Sequence, residues 1–363
     1  MQNNWYGALG MPITLATTFE RAADGSYPGG FEYARVDNPN RRALEMALAS
    51  LEGGEDAAAF ASGSAAVMTL FQTLRPGDEA IVSHDCFIGV REMLSTLFVP
   101  WGLRVKLVDT TDVDQLEAST GPDTRLIFVE TPSNPMLTIT DIRAAARTAK
   151  RCGAVLAVDN TAATPILQRP FDLGADIIVH STTKYISGSH DAMGGAIVTR
   201  QSDLLWKQIR QLQRLCGSVP SPFASWLTMR ALPSLPHRVL YQSNSALKLA
   251  QELSRHPGVE RVYHPWSKDN PGEEVARRQM SGGGSLFSFL VKGDADTAMR
   301  VAAHTKVFTR ATSFGGQESL IEHRASIEGP ATKTPQNLLR LSIGLEDTQS
   351  LIDDLTQALK ASQ

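Results

Sequence analysis

The chain has 363 residues, of which 42% are hydrophobic and 20% charged, so it can bury more than one core and is expected to form a large and a smaller domain. With 35 Lys and Arg against 38 Asp and Glu, its net charge of −3 gives no electrostatic attraction to nucleic acid or anionic membrane and favours small-molecule ligands. It contains no apolar run of about 18 residues and no basic-then-apolar leader, so we expect a cytoplasmic protein. Its three cysteines, Cys86, Cys152 and Cys216, form no CxxC pair, which fits a reducing compartment.

Helices and strands alternate along the first part of the chain. Segment 41–54, RRALEMALASLEGG, has Leu44, Leu48 and Leu51 at helical spacing and predicts an amphipathic helix that ends at its glycines. A short strand, AAAF, follows, and then a helix that begins near Ser64. The next segment, RPGDEAIVS, predicts a turn followed by a strand.

The alternation continues through the middle of the chain. Further elements are predicted as strands at 124–130, 154–159 and 175–181 and a helix at 140–153. The helix has Thr140 as its candidate N-cap and Gly153 beyond its end. Strands that are apolar throughout and separated by helices indicate an α/β fold with a mostly parallel sheet covered on both faces. From about residue 231 the pattern changes to a long helix and a short strand, which predicts the second domain.

Polar residues follow several of the predicted strands. They are Ser62-Gly63-Ser64, Asn134, Asp159, and the cluster His180, Ser181, Thr183 and Lys184. Singly, such residues are most often caps, turn residues or solvated side chains, but ligands of open parallel sheets bind at the carboxyl ends of the strands. Together they supply an amine for a Schiff base, a carboxylate for a ring nitrogen and N–H and hydroxyl donors for a phosphate. Pyridoxal 5′-phosphate requires this combination.

The chain also resembles the Cys/Met-metabolism family of pyridoxal-phosphate enzymes over almost its whole length. The resemblance lies in YARVDNPN (33–40), ASGSAAV (61–67), VETPSNP (129–135), VDNT (158–161), HSTTKYISGSHDAMGG (180–195), SFGGQESLIEHRAS (313–326) and LLRLSIGLED (338–347). It implies fold-type I, with a mostly parallel seven-stranded sheet in a large domain and a smaller α/β C-terminal domain. The corresponding boundaries are an N-terminal arm at 1–40, a cofactor domain at 41–230 and a small domain at 231–363.

The resemblance implies roles for the cofactor residues. Lys184 would form the Schiff base and carry protons between substrate carbons, and Asp159 would pair with the pyridinium nitrogen. The phosphate would be held by the N–H groups of Gly63 and Ser64 and the hydroxyls of Ser181 and Thr183.

The resemblance also implies substrate contacts and an oligomer. Arg340 would bind the substrate α-carboxylate, a bidentate task that suits guanidinium, with Asn134 and Ser313 assisting. Tyr33 and Arg35 would reach the phosphate of a neighbouring subunit. The implied assembly is therefore a homo-oligomer of at least two subunits, and a dimer of dimers is usual in the family.

Several positions depart from the family pattern, and three of them bear most directly on the reaction. Phe87 stands where a tyrosine is usual, and its ring can stack on the cofactor but cannot transfer a proton. Thr312 stands where the γ-synthases and γ-lyases commonly have a glutamate, which weakens the case for cystathionine itself as a substrate. Arg324 replaces a usual proline and, with Glu328, indicates either a polar or acidic substrate side chain or a pair of surface charges.

The reaction implied by the resemblance is γ-replacement of an activated homoserine ester by a thiol. The alternatives are β- or γ-elimination of cystathionine, cysteine or methionine, a divergent member acting on another amino acid, or a protein that binds the cofactor with little catalysis. Retention of Lys184, Asp159 and Arg340 argues against the last alternative. The sequence has no HExxH, CxxC or clustered His and Cys spacing, so no catalytic metal is expected. His180 and His190, which flank Lys184, are expected to be structural.

Overall fold

The computed structural model describes residues 9–329 and 332–362. Its helices are α1 (Pro39–Glu52), α2 (Gly63–Phe71), α3 (Ile88–Met93), α4 (Val99–Trp101), α5 (Val113–Ser119), α6 (Ile142–Cys152), α7 (Thr164–Leu167), α8 (Leu204–Cys216), α9 (Pro222–Ala231), α10 (Leu235–Leu253), α11 (Glu273–Gln279), α12 (Ala295–His304), α13 (Arg324–Glu328) and α14 (Thr348–Ala361). Its strands are β1 (Asp56–Phe60), β2 (Glu79–Ser83), β3 (Arg104–Val108), β4 (Thr124–Glu130), β5 (Val155–Asp159), β6 (Ile177–His180), β7 (Gly195–Thr199), β8 (Val259–Tyr263), β9 (Leu286–Val291), β10 (Thr309–Arg310), β11 (Leu320–His323) and β12 (Leu338–Ser342).

The first seven strands form one sheet in the order β1-β7-β6-β5-β4-β2-β3. Strands β3, β2, β4, β5 and β6 are parallel to one another, and β7 is antiparallel to both β6 and β1. The prediction of a mostly parallel seven-stranded sheet is confirmed. The carboxyl ends of β1, β4, β5 and β6 consequently lie along one edge of the sheet.

Both faces of this sheet are covered by apolar side chains. In β4, Ile127 and Val129 pack into one buried cluster, and Leu126 and Phe128 pack into the cluster on the opposite face. Because side chains alternate between the faces of a strand, apolar residues at every position correspond to burial on both sides.

Helix α1 forms as its leucine spacing predicts. Leu44 and Leu48 are buried against the sheet, and Leu51 packs partly against them. Gly53 ends the helix with φ 73°, and its N–H donates to the carbonyl of Ala49 or Ser50. This left-handed conformation favours glycine, which explains the Gly pair after the helix.

The N-cap predicted for α6 is wrong by one residue. Asp141 caps this helix, because its side chain accepts a hydrogen bond from the N–H of Ala144. The hydroxyl of Thr140 instead lies 2.7 Å from the hydroxyl of Thr110 in a buried contact. Thr140 therefore connects the loop that follows β4 to the loop that follows β3.

The later part of the chain forms a second, five-stranded sheet in the order β10-β11-β12-β9-β8. The long helix and short strand predicted after residue 231 are α10 and β8. Apolar residues of α10, α12 and α14 cover this sheet, including Leu249, Val301 and Leu355. The predicted boundary at 231 coincides with the end of α9, and the division into arm, large and small domains stays a prediction.

Candidate active site

A cavity of about 270 Å³ lies at the carboxyl ends of β1, β4, β5 and β6. The sheet provides one wall, and residues that follow β10 or belong to β12 and α13 provide the other. Eleven of the residues predicted from sequence line it, namely Gly63, Ser64, Phe87, Asn134, Asp159, Ser181, Thr183, Lys184, Thr312, Ser313 and Arg340. The fold therefore brings together segments that are up to 277 positions apart.

The start of α2 forms one end of the cavity. Ser62 caps the helix by accepting a hydrogen bond from the N–H of Ala65 at 3.1 Å. The N–H groups of Gly63 and Ser64 lie in the first turn, where no helix carbonyl is available to them. A Cβ on Gly63 would lie 2.8 Å from the Cβ of Ser181, so glycine permits the close approach of these two segments.

The two hydroxyls predicted at this end are placed differently. Ser181 lines the cavity, and its N–H donates to the hydroxyl of Thr161 at 2.8 Å. The hydroxyl of Thr183 donates to the carbonyl of Gly194 at 3.1 Å and accepts from the N–H of Gly194 at 3.0 Å. Thr183 thus also anchors the start of β7.

Two carboxylates lie side by side on the sheet wall. Glu130 and Asp159 are paired in register at the ends of the parallel strands β4 and β5. Burial raises the pKa of Asp159, although hydrogen bonds from Thr161 oppose this. Burial, and secondly the charge of Asp159, raises the pKa of Glu130 well above its usual value. Two neighbouring buried carboxylates resist simultaneous ionisation, so a cation beside Asp159 would favour its charged form.

Lys184 extends from the segment after β6 towards the opposite wall. Its Nζ donates to the hydroxyl of Ser313 at 3.1 Å and lies 5.0 Å from the centre of the Phe314 ring. Burial, and secondly the charge of Arg340, lowers the pKa of Lys184 to about 8. About one tenth of this amine is therefore neutral and nucleophilic at pH 7.

Ser313 has a strained backbone. Its φ is 107°, a region that residues with a side chain rarely adopt and that costs about 1–3 kcal/mol. In this conformation its hydroxyl accepts from Lys184 and its carbonyl accepts from Arg340 Nη2 at 2.8 Å. The strain therefore places both groups of one residue against two cavity cations.

Arg340 is a buried guanidinium at the second wall, only 3% exposed. Its Nη1 donates to Asn134 Oδ1 at 3.1 Å, and its Nη2 lies 2.5 Å from Glu322 Oε2. Glu322 and Arg340 are directly opposite each other in the antiparallel pair β11–β12. Arg340 and Asn134 are thus joined as the family resemblance implies.

Thr312 and Arg324 share Glu322 with Arg340. The hydroxyl of Thr312 donates to Glu322 Oε1 at 2.7 Å, and Arg324 Nη1 donates to Glu322 Oε2 at 3.1 Å. Arg324 Nη2 donates to Glu328 Oε1 at 2.9 Å. The interpretation of Arg324 and Glu328 as a surface pair is wrong, because both side chains are less than 5% exposed.

Phe87 presents its ring to the cavity just before α3 and is 41% exposed. Its N–H donates to Glu130 Oε2 at 2.7 Å. A Cβ on Gly89 would lie 2.6 Å from Phe87 Cε1, so the ring lies against a position where only glycine leaves enough space. The aromatic platform is retained without a phenol.

Tyr33 and Arg35 are the two predicted site residues that do not line this cavity. Arg35 Nη1 donates to the carbonyl of Arg214 at 2.7 Å, and its guanidinium lies 5.7 Å from the centre of the Tyr33 ring. Both belong to a segment before α1 in which an antiparallel bridge joins Thr18 to Tyr33. Within one chain they are separate from the site.

Two residues near the site were missed by the sequence analysis. Glu130 lines the cavity, and Glu322 lies behind it as the shared acceptor of Thr312, Arg324 and Arg340. Both stand inside segments quoted for the family resemblance, VETPSNP and SFGGQESLIEHRAS. The position of Glu130 as the last residue of the predicted strand 124–130 was the available signal. His180 is structural as expected, with Nε2 2.5 Å from Glu52 Oε1.

Comparison with known proteins identifies the family in which this arrangement occurs. Residues 1–360 match the model of the family described as Cys/Met metabolism PLP-dependent enzyme. The chain belongs to this family. Its fold is accordingly fold-type I, and its cofactor is pyridoxal 5′-phosphate.

Relatives in the family include both synthases and lyases. Cystathionine gamma-synthase of Mycobacterium tuberculosis is 44% identical over 359 residues, which cover 97% of this chain and 92% of the relative. Cystathionine gamma-lyase of Bos taurus is 39% identical, with coverage of 97% and 88%. The crystal structure of metB from Corynebacterium glutamicum superposes with a TM-score of 0.97 at 39% identity, covering 99% of this chain and 95% of that one.

A second solved structure includes bound amino acids. Cystathionine gamma-synthase from Xanthomonas oryzae pv. oryzae, in complex with aminoacrylate and cysteine, superposes with a TM-score of 0.95 at 36% identity and covers 99% and 95% of the two chains. The chain is therefore a PLP-dependent enzyme of the transsulfuration type that acts on a small amino acid.

The cavity of this family member fits its cofactor. The close approach of Gly63 to Ser181 joins two donor segments, and Lys184 provides a partly neutral amine. The buried carboxyl of Asp159 suits a protonated ring nitrogen, whose charge favours the ionised carboxylate. When bound, the cofactor supplies an electron sink for negative charge at the substrate α-carbon.

Within residues 9–329 and 332–362, no group of three or more His, Cys, Asp or Glu side chains could hold a metal ion. Among the helices described, none combines the length and apolar character that crossing a membrane requires.

Proposed function

We propose that this enzyme catalyses γ-replacement, in which a thiol displaces the acyloxy group of an activated homoserine ester. The observation that carries the proposal is the position of Lys184 Nζ, which donates a hydrogen bond to Ser313. Ser313 and Arg340 line the same wall of the cavity. One base is thereby placed next to a site for the substrate α-carboxylate.

The residues have distinct tasks in this reaction. Arg340, oriented by Asn134 and the Ser313 carbonyl, holds the α-carboxylate. Lys184 Nζ accepts the proton from the α-carbon. The same amine then transfers protons to and from the neighbouring carbons of the substrate. The carbon–oxygen bond at the γ-carbon breaks, a carbon–sulfur bond forms, and the thiol proton balances the carboxylate that leaves.

Similarity to known enzymes supports synthesis over elimination. The identity is 44% to the mycobacterial cystathionine gamma-synthases and 38% to 40% to several cystathionine gamma-lyases. In this chain, Thr312 replaces a glutamate that is common in both the γ-synthases and the γ-lyases, and its hydroxyl donates to Glu322. The higher identity favours synthesis, and the replacement of the glutamate by Thr312 weakens the case for cystathionine itself as the substrate.

Elimination is the second candidate. The chain covers 93% and 88% of the cystathionine gamma-lyases of Dictyostelium discoideum and Bos taurus. In elimination no thiol adds at the γ-carbon, and the enamine that is released is hydrolysed in water. The same Lys184 would then serve a reaction that ends in a 2-oxo acid and ammonia. Thr312 would have to replace the missing carboxylate in binding the substrate.

The cofactor contacts are part of the proposal. Asp159 pairs with the ring nitrogen, Phe87 stacks on the ring, and the phosphate is bound at the start of α2. Its donors are the N–H groups of Gly63 and Ser64 and the hydroxyls of Ser181 and Thr183. The bonds of Thr183 to Gly194 leave Ser181 as the freer hydroxyl of the two.

We further propose that the protein is a homo-oligomer, a dimer of dimers as is usual in the family. In this assembly Tyr33 and Arg35 complete the site of a neighbouring subunit. Support comes from Tyr33, which is 43% exposed on its own chain and lies outside the cavity. A cytoplasmic location is supported by three cysteines that are all unpaired.

A substrate panel tests the proposed reaction. O-Acetyl- and O-succinyl-L-homoserine are each supplied with cysteine or sulfide, and cystathionine and methionine are each supplied alone. We expect a new amino acid from the ester–thiol pairs and little 2-oxo acid from the single substrates. Dominant 2-oxo acid formation would favour the lyase. Lys184→Ala should lose both the activity and the visible absorbance of the cofactor–lysine linkage.

A further inference from the structure

The cavity contains a second buried arginine that the reaction described above does not use. Arg324 lines the cavity together with Arg340 and is 3% exposed. It is the first residue of α13 and directly follows β11. A guanidinium in this position is costly to bury unless charged partners or a ligand compensate for lost hydration.

The acidic partners of Arg324 lie behind it. Glu322 and Glu328 bind its Nη1 and Nη2, and among the described residues neither carboxylate lines the cavity. The Nε of Arg324 is buried and has no hydrogen-bond partner in the structure described. Arg324 is thus held by two carboxylates that do not line the cavity, while its Nε–H group has no acceptor among the residues described.

Glu328 is itself held in place. Its Oε2 accepts hydrogen bonds from the hydroxyls of Thr332 at 2.5 Å and Thr334 at 2.7 Å. Burial raises the pKa of Glu328, but these hydrogen bonds and Arg324 outweigh burial and lower the pKa overall. Arg324 is therefore fixed rather than free to change rotamer.

Charge is distributed unevenly between the two walls of the cavity. The carboxylates that line it, Glu130 and Asp159, both belong to the sheet wall. The second wall is lined by Arg324 and Arg340, and both of their charges contribute to lowering the pKa of Lys184. The substrate side therefore presents two guanidinium groups, of which one suffices for an α-carboxylate.

We propose that Arg324 binds a second carboxylate, carried by one of the two substrates, in addition to the α-carboxylate bound by Arg340. This inference rests on the proposed γ-replacement. The carboxylate has two possible sources with the same chemistry: the acyl tail of the ester or the carboxylate of the thiol. A planar guanidinium is suited to such an anion.

Matched substrates distinguish these sources. O-Succinyl- and O-acetyl-L-homoserine differ by a terminal carboxylate on the acyl tail, and cysteine and cysteamine differ by a carboxylate on the thiol. KM and kcat are measured for wild-type holoenzyme and for Arg324→Gln and Arg324→Lys. We expect Arg324→Gln to raise the KM ratio of one carboxylate-bearing substrate to its matched partner by about 10- to 150-fold, the effect of losing a hydrogen bond to a charged group. Arg324→Lys should recover part of that ratio.

Equilibrium binding gives a readout that does not need turnover. L-2-Aminoadipate and L-norleucine have chains of equal carbon number and differ in a terminal carboxylate. Tighter binding of aminoadipate to wild-type holoenzyme, lost in Arg324→Gln, supports an acyl-tail site. The double variant Arg324→Met/Glu328→Gln removes both charges and keeps the comparison usable where the single variant folds poorly.

The outcomes separate this inference from the proposed function. Equal rises in KM for all four ester–thiol combinations, with equal binding of aminoadipate and norleucine, would overturn it and leave Arg324 as a positioning residue for Glu322 and Arg340. If no combination is turned over by wild-type enzyme, the proposed function fails. Equilibrium binding of aminoadipate against norleucine and of cysteine against cysteamine then decides the inference, and the absence of both preferences overturns it.

Discussion

Lys184 Nζ donates a hydrogen bond to Ser313 Oγ at 3.1 Å across 129 positions of sequence. Lys184 follows a strand of the seven-stranded sheet, and Ser313 follows the short strand β10 of the five-stranded sheet. The contact therefore forms only when the two sheets are packed together. It places the proposed base between the cofactor wall and the carboxylate-binding wall.

The lowered pKa of Lys184 predicts how the apoenzyme takes up its cofactor. The neutral amine is the reactive form, and with a pKa of about 8 its fraction rises from about one tenth at pH 7 to about nine tenths at pH 9. The rate of Schiff-base formation should rise accordingly, with a midpoint near 8, when followed by visible absorbance.

Arg340→Met should move that midpoint to higher pH, because the charge of Arg340 is the second cause that lowers the pKa of Lys184. The exposed Arg255→Met is a matched control and should leave the midpoint unchanged. A midpoint that stays fixed or falls in Arg340→Met would contradict the assignment.

Phe87 is predicted to supply a stacking surface. Phe87→Leu should weaken cofactor binding about 2- to 13-fold, which corresponds to loss of about 0.5–1.5 kcal/mol of aromatic stacking. Phe87→Tyr should keep the affinity, and cofactor dissociation constants measured by fluorescence check both. In the substrate panel, Phe87→Tyr should change the ratio of amino acid to 2-oxo acid; identical rates and products would show that the missing phenol has no influence on the reaction.

Glu130 is predicted to be neutral in the folded apoprotein. Its folded pKa is raised above the unfolded value, so stability is fully present below the unfolded pKa and is lost as pH rises towards the folded pKa. Glu130→Gln removes this loss. The melting temperature of the variant relative to wild type should therefore be higher at pH 8 than at pH 5.

Two further variants test the same group. Glu130→Ala should cost about 1–3 kcal/mol, because it leaves the N–H of Phe87 without its acceptor. Glu274→Gln, at a side chain that is 94% exposed, should show no such pH dependence. A pH dependence equal in Glu130→Gln and wild type would refute a raised pKa.

Arg35 is predicted to act in the site of a neighbouring subunit. Arg35→Ala and Lys184→Ala should each be inactive alone, but mixed oligomers should regain part of the activity. In such an oligomer one site has an intact Lys184 from one subunit and an intact Arg35 from the other. Mixing Lys184→Ala with Asp159→Ala is the control and should restore nothing, since both residues line the cavity of the same chain. Absence of recovery in the first mixture would refute the shared site.

Much of the fold could be predicted from local sequence patterns. The leucine spacing and terminal glycines of α1, the apolar runs of β4, β5 and β6, and the polar residues after them depend on local chain geometry. Because the carboxyl ends of parallel strands share one edge, these runs also predicted that Asp159 and Lys184 would lie close together. The family resemblance then added Arg340 and Ser313, which no local pattern connects to them.

The sequence by itself determined several of the helices and strands, the shared sheet edge of the candidate cofactor residues, and the family to which the chain belongs. Only the tertiary structure decided that Glu130 lies beside Asp159, that Glu322 lies opposite Arg340, and that Arg324 is buried at the cavity. The physical reason is that periodicity is set by neighbours along the chain. Strand register and burial arise from pairing between distant segments, and these decide which charges meet at the site.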